Sequence, residues 1–243
     1  MDRKNKESVK QNSGYDHARW ETQRRFLRFL LREIVFKTMI KINKVEGIEN
    51  IPTDGSAVLV MNHIAFVDPI VLVHVVPRNI VPLAKIEVYD YPVIGIFPRW
   101  WGAVTVRREE VDRQAVRHAM EILRSGEIIL VAPEGTRNPQ LEQAKEGVAY
   151  FASRSQSPVV PVTIEGTQYF PTYPYSSKWR KHGVSVRFYP PFRFKAGLKR
   201  AGREELRLMT DEAMYILASQ LPENRRGVYS NLSVATQETI EWL

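Results

Sequence analysis

The chain has 243 residues, 44% of them hydrophobic and 26% charged, which places it among globular proteins and allows one large domain, alone or with a small accessory element. It has no cysteine, which excludes disulfides, thiolate metal sites and a cysteine nucleophile, and fits an intracellular setting. The net charge of +8 is concentrated at one end: residues 1–44 hold 12 Lys/Arg and 5 Asp/Glu, whereas the remaining 199 hold 23 and 22. A basic arm of this kind points to nucleic acid or to an anionic membrane surface.

Residues 1–14 are polar and aperiodic and are expected to be a disordered tail. From Tyr15 to Ile42 the pattern is helical, with Arg25, Arg28 and Arg32 along one stripe. Phe26, Leu27, Leu30 and Ile34 lie largely opposite them, flanked by Phe29. Such a helix either lies in a membrane interface or packs on the domain with a solvated basic face. Charges interrupt every apolar run, so it is neither a secretory signal nor a spanning segment. The rest of the chain alternates apolar runs with helical patterns. Strands are expected at Ala57–Met61, Ile80–Leu83, Ala103–Val106, Ile128–Ala132, Val159–Ile164 and Val184–Tyr189. Helices are expected over Pro69–Val76, Glu110–Arg124 and about Gly202–Gln220, with an aromatic, basic loop over 166–182 and a polar tail at the end. This alternation predicts one α/β domain with a central sheet and an N-terminal helical appendage.

His63 follows a strand and Asp68 opens the next helix. A strand–turn–helix junction can fold the carboxylate back onto the imidazole, fixing its tautomer and leaving the other ring nitrogen to take a hydroxyl proton. Taken alone, Asp68 before Pro69 reads equally as a helix cap, and His63 as a histidine satisfied at a strand end. Further on, Glu134-Gly135-Thr136-Arg137 follows a buried strand. Gly135 permits a tight turn, Thr136 offers a hydroxyl and Arg137 a forked donor for phosphate, although a surface turn with an arginine would look the same.

Four segments in order are more specific than any one of them. Asn62-His63-x4-Asp68, Gly102-x3-Val106-Arg107, Glu134-Gly135-Thr136-Arg137 and Val160-Pro161-Val162, separated by about 40, 27 and 24 residues, resemble the four motifs of the lysophosphatidic acid acyltransferase-like glycerolipid acyltransferase family. Leu83-Ala84-Lys85-x-Glu87, Lys145-x-Gly147, Leu221-Pro222-Glu223 and Gly227-Val228-Tyr229 agree with it, so the likeness spans about residues 45–229. It implies a central mixed sheet flanked by helices. It also implies His63 as general base and Asp68 as its orienting partner. Arg107, Glu134, Gly135, Thr136 and Arg137 would form the acceptor and phosphate site, helped by Lys85 and Lys145, with Val160–Val162 structural. Trp100, Trp101 and the 166–182 loop are places where the acceptor pocket can differ.

The resemblance implies transfer of an acyl group from acyl-CoA or acyl-carrier protein to lysophosphatidic acid, forming phosphatidic acid. It implies no cofactor and no metal, with a membrane surface of anionic lipids as partner. The basic arm would then hold the enzyme on the cytoplasmic face as a peripheral or monotopic protein, with residues 15–44 as the associating element, 45–229 as the acyltransferase domain and 230–243 as a tail. Other acceptors of the same enzyme class stay open, namely glycerol-3-phosphate, a glycolipid or an ornithine lipid. From other classes come a non-catalytic membrane-surface protein and a nucleic-acid-binding module, but the basic charge sits on an arm with an apolar face and no recognised nucleic-acid motif is present, so no nucleic-acid partner is expected.

Overall fold

The computed structural model describes residues 15–92, 95–107, 112–170 and 183–243. The tail expected over 1–14, the start of the helix expected from Glu110 and residues 171–182 of the aromatic loop lie outside those residues.

Among the described residues, nine strands form one sheet: β1 (Ile42–Glu46), β2 (Ala57–Met61), β3 (Ile80–Lys85), β4 (Val104–Val106), β5 (Ile128–Val131), β6 (Val159–Glu165), β7 (Val184–Phe188), β8 (Phe192–Phe194) and β9 (Ile240–Trp242). The main order is β1-β7-β6-β2-β5-β3-β4, with β8 beside β6 and β9 beside β8. From β6 through β4 every pair is parallel, whereas β7 and β8 run antiparallel to β6. Mixed direction is therefore confined to one half of the sheet. β2 and β5 are buried along their whole length, as expected of central parallel strands covered on both faces.

Alternation of side chains along these strands sorts them into two cores. Val58, Val60, Ile129 and Val131 face α4 (Arg113–Arg124), α5 (Gly147–Ser155) and α6 (Arg203–Ser219). Leu59, Met61, Ile128 and Leu130 face α1 (Glu21–Leu30), α2 (Asp68–Val75) and Trp101 at the end of α3 (Ile96–Trp101). The result is a helix–sheet–helix sandwich, the α/β architecture expected from the sequence. Pro161, which has no N–H, lies within β6 between Val159, paired with Phe192, and Val162, paired with Phe188. It falls where the antiparallel partner passes from β8 to β7 and no ladder donor is needed from that residue.

From Tyr15 on, the N-terminal arm is built into the domain. After α1 a π-helical turn (Leu31–Val35) and a last turn (Phe36–Thr38) lead straight into β1, which pairs with β7. A boundary at residue 44 therefore falls inside a strand. Leu27 and Leu31 enter the core, and Arg24 is fully buried, donating from Nε to the Trp101 carbonyl at 2.8 Å and from Nη2 to the Tyr15 hydroxyl at 2.9 Å. Arg28 does not sit on an open basic stripe. Its guanidinium lies 5.2 Å from the centre of the Trp101 ring and donates to the Asn79 side chain, and burial lowers its pKa. Trp101 is itself buried, with Nε1 donating to the Ile80 carbonyl at 2.7 Å. It is a core residue that anchors α1 rather than one that reshapes a pocket.

The polar stretch after α6 also folds back. Buried Glu212 accepts hydrogen bonds from the Glu238 N–H at 2.6 Å, the Thr239 N–H at 3.0 Å and the Thr236 and Thr239 hydroxyls, which delivers β9 to β8.

Candidate active site

The parallel strands place the candidate residues along one edge. Val60 pairs with Val131, Pro82 with Leu130, and Lys85 with Val106, so the carboxyl ends of β2, β5, β3 and β4 lie side by side. His63 follows β2, Glu134 follows β5, Lys85 ends β3 and Arg107 follows β4. This crevice beyond the strand ends is where open α/β sheets bind ligands.

Asn62 starts the site. Its side chain pairs with Ile164 in both directions: Nδ2 donates to the carbonyl at 3.0 Å, and Oδ1 accepts the N–H at 2.9 Å. This locks the end of β2 to β6 just before His63. The chain then turns and α2 begins at Asp68, which is fully buried. The Asp68 carboxylate does not cap its own helix. It reaches back, and Oδ2 accepts from the Ile64 N–H at 2.7 Å, the Ala65 N–H at 2.8 Å and His63 Nδ1 at 2.8 Å. The cap reading of Asp68 is thus replaced by an orienting one. With Nδ1–H committed to Asp68, the Nε2 lone pair is the basic position, on a side chain 13% exposed. The Ile64 and Ala65 N–H groups are thus both spent on Asp68.

The turn after β5 is in direct contact with this pair. Gly135 takes φ +69, a left-handed conformation that strains other residues, and its N–H closes the turn on the Ala132 carbonyl at 3.0 Å. The Asn138 N–H donates to the His63 carbonyl at 2.9 Å, and the Lys145 N–H to the Pro133 carbonyl at 3.0 Å. Glu134 is buried. Its Oε2 accepts the Glu142 N–H at 2.8 Å, while Oε1 has no partner among the described residues. Desolvation pushes the Glu134 carboxyl up to about 7, against the opposing pull of the Glu142 N–H and, more weakly, the His63 N–H. Thr136 and Arg137 are exposed beside it.

The remaining candidates sit further out on the same edge. Arg107 is exposed, and its N–H is held at 3.0 Å by Asp112, which also caps α4. Lys85 is partly exposed and ion-paired with Glu87 at 2.7 Å. Lys145 is exposed and lines a groove with Arg203 and Arg207 at the start of α6, and its N–H joins it to the turn through the Pro133 carbonyl. Val160 and Val162 are fully buried in β6, as a structural motif should be. Among the described residues, no group of three or more His, Cys, Asp or Glu is placed to hold a metal ion, and no helix is long and apolar enough to cross a membrane.

The family described as acyltransferase matches residues 42–165, just over half of the chain. The chain belongs to the acyltransferase family. A 1-acyl-sn-glycerol-3-phosphate acyltransferase of Bacillus subtilis is 32% identical over 124 residues, which is 51% of this chain and 62% of that protein. A chloroplast 1-acyl-sn-glycerol-3-phosphate acyltransferase of Arabidopsis thaliana is 32% identical over 147 residues, 58% of this chain and 41% of that one. The chain therefore spans between 41% and 62% of the length of these two relatives. The solved structure of the 1-acyl-sn-glycerophosphate (LPA) acyltransferase PlsC from Thermotoga maritima superposes with a TM-score of 0.56 at 23% identity. It covers 90% of this chain and 81% of that one, which shows a shared fold.

The motif reading did not assign Asn62 a role of its own, although it quoted the residue. A side chain that replaces a strand partner is visible only once β6 lies beside β2, 102 residues away in sequence.

Proposed function

We propose that this acyltransferase moves a fatty acyl group from acyl-CoA or acyl-carrier protein to the free hydroxyl of lysophosphatidic acid, giving phosphatidic acid. The observation that carries the reading is the His63–Asp68 pair, held at 2.8 Å beside the Glu134–Arg137 turn. His63 Nε2 takes the proton of the acceptor hydroxyl as its oxygen attacks the thioester carbonyl. The carbon–sulfur bond breaks, the thiol of the donor leaves with a proton, and an ester remains. Asp68 steadies the imidazolium formed on the way, and positioned acid–base catalysis of this kind is worth about 10²–10⁴-fold. Arg137, with Arg107 and Lys85 along the same edge, supplies positive charge for the acceptor phosphate. No step needs a cofactor.

The reaction takes place at a membrane surface in this reading, with the chain attached peripherally at the cytoplasmic face. Phe26, Phe29, Ile34 and Trp100 are 49%, 53%, 51% and 43% exposed, and the Phe26 and Trp100 rings lie 6.0 Å apart. Arg25 and Arg32 are exposed on the same helical segment, suited to anionic headgroups.

The test is an acyl-CoA assay with lysophosphatidic acid beside glycerol-3-phosphate and phosphate-free lysolipids. H63A should lose about 10²-fold or more of kcat, and R137A should raise KM for phosphate-bearing acceptors only. Wild-type turnover by H63A ends the mechanism. Preference for a phosphate-free acceptor ends the assignment of lysophosphatidic acid.

A further inference from the structure

The segment from Arg137 to Glu146 has neither helix nor strand, so its backbone groups must find partners outside itself. Many come from the far end of the chain. Leu141 donates its N–H to the Arg225 carbonyl at 3.0 Å and accepts the Val228 N–H at 3.1 Å. The Arg225 guanidinium donates to the Pro139 carbonyl at 2.9 Å, and the Gln140 side chain to the Asn224 carbonyl at 3.1 Å. The Ala144 N–H donates to the Tyr229 hydroxyl at 3.1 Å, and the Ala144 carbonyl accepts from Arg207 at 2.7 Å. The same segment reaches the reaction centre through Asn138 to the His63 carbonyl and through Glu142 to Glu134.

Two residues fix this contact. Gly227 has φ +53, and a Cβ there would stand 1.9 Å from the Leu141 carbonyl oxygen, far inside contact distance. Only glycine lets the two backbones approach. Tyr229 is buried edge-on against Tyr215, with ring centroids 5.2 Å apart, and this aims its hydroxyl at Ala144. Between them the Val228 side chain is 62% exposed, so that residue contributes its N–H rather than buried surface. Gly227 and Val228 thus give backbone contact, and Tyr229 adds a buried ring that carries its hydroxyl to Ala144.

We propose that Glu223–Tyr229 is a positioning strap for the acceptor turn, with Gly227 and Tyr229 as the residues that set where Glu134 to Arg137 stand relative to His63. The proposal rests on the reading of that turn as the acceptor site. A shift of the turn by about 1 Å should cost about 10- to 100-fold in kcat/KM. Because the turn handles the acceptor, the loss should fall on its KM and leave the KM of the acyl donor in place.

The experiment uses the full chain and compares wild type, G227A, Y229F and W242A. The last of these weakens β9 packing against Phe192, away from the strap. Amide exchange at Leu141 and Ala144 is measured together with acceptor and donor KM. G227A is expected to lose protection at Leu141 and Ala144 and to raise acceptor KM about 10- to 100-fold. Y229F, which keeps the ring and loses only the hydroxyl, should move both in the same direction by less. Donor KM should hold in both variants, and W242A should keep wild-type acceptor KM. Unchanged protection in G227A and Y229F overturns the strap, as does an equal rise of acceptor KM in W242A. If the wild-type protein acylates no lysophospholipid, the proposed acceptor fails, and the strap stands or falls on the exchange data.

Discussion

One oxygen of Asp68 accepts three hydrogen bonds of 2.7–2.8 Å, while its twin has no partner among the described residues. All the directed interaction of this buried carboxylate is therefore on the edge facing His63, and the two amides that wrap it fix that edge in place. D68N can keep an oxygen at the same position and so preserve the turn, but it removes the charge that steadies an imidazolium. The expected result is a fold intact by circular dichroism, with kcat down by about 10²–10⁴-fold; an undiminished kcat would make Asp68 a purely structural clasp. At Glu134, burial favours the neutral form. Its folded pKa of about 7 lies above the ordinary value of 4.5, so folding is linked to holding the proton. Stability from this group is present in full below about 4.5 and is lost as pH rises through about 7, amounting to roughly 3 kcal/mol at the alkaline end. E134Q should therefore melt higher than wild type at pH 8, with little or no such gain at pH 5. Parallel melting curves across that range would refute the linkage. The strand-end positions of His63, Asp68 and Glu134 to Arg137 were legible in the sequence, but each alone also read as a cap or a surface turn, and only the resemblance of four ordered motifs marked them as site residues. Gly227 was visible only as part of a tripeptide, since the carbonyl that demands glycine there belongs to Leu141.

At the scale of elements, what could be read depended on how much of its own burial signal each segment carries. β2, β5 and β6 are runs of Val, Ile and Leu and were found within a residue or two of their ends. β1 has an exposed middle, and β8 and β9 have three residues each, so no period emerges from them and only their partners make them strands. α1 is the instructive intermediate. Its periodicity was clear, but which arginines face water was not. Arg24 lies inside, with its guanidinium 5.6 Å from the Trp101 ring centre and its Nε on the Trp101 carbonyl. R24A removes that donor and the packing of the side-chain stem, and should cost about 2–4 kcal/mol in denaturant unfolding. R25A, on the exposed face, should stay within about 0.5 kcal/mol of wild type. Equal, small effects from both would mean that α1 is not locked to α3 through this residue.

At the scale of the molecule, the surface proposed to meet lipid and the sheet that bears the site are one body. Deleting residues 1–44 would cut away the first three residues of β1 and take Leu27 and Leu31 out of the core, so lost vesicle binding in such a truncation would report misfolding as readily as a lost anchor. Point changes on the outer face separate the two. Phe26 and Phe29 are each about half exposed, so F26S with F29S should leave stability nearly unchanged. If the face enters the headgroup region, the pair contributes on the order of 2–3 kcal/mol of apolar transfer, and binding to phosphatidylglycerol-containing vesicles should fall about 30- to 150-fold. Arg25 and Arg32 are partly offset by Glu21 at 2.9 Å and Glu33 at 2.6 Å. Their share, up to about 1 kcal/mol each, should appear as weaker binding in added salt for wild type and double variant alike. Turnover of a dispersed short-chain acceptor should be the same in both proteins, because Phe26 and Phe29 lie on the exposed face of α1. Vesicle binding by F26S/F29S equal to wild type would remove this face as the membrane contact. Loss of turnover on the dispersed acceptor would show instead that α1 acts on the site itself.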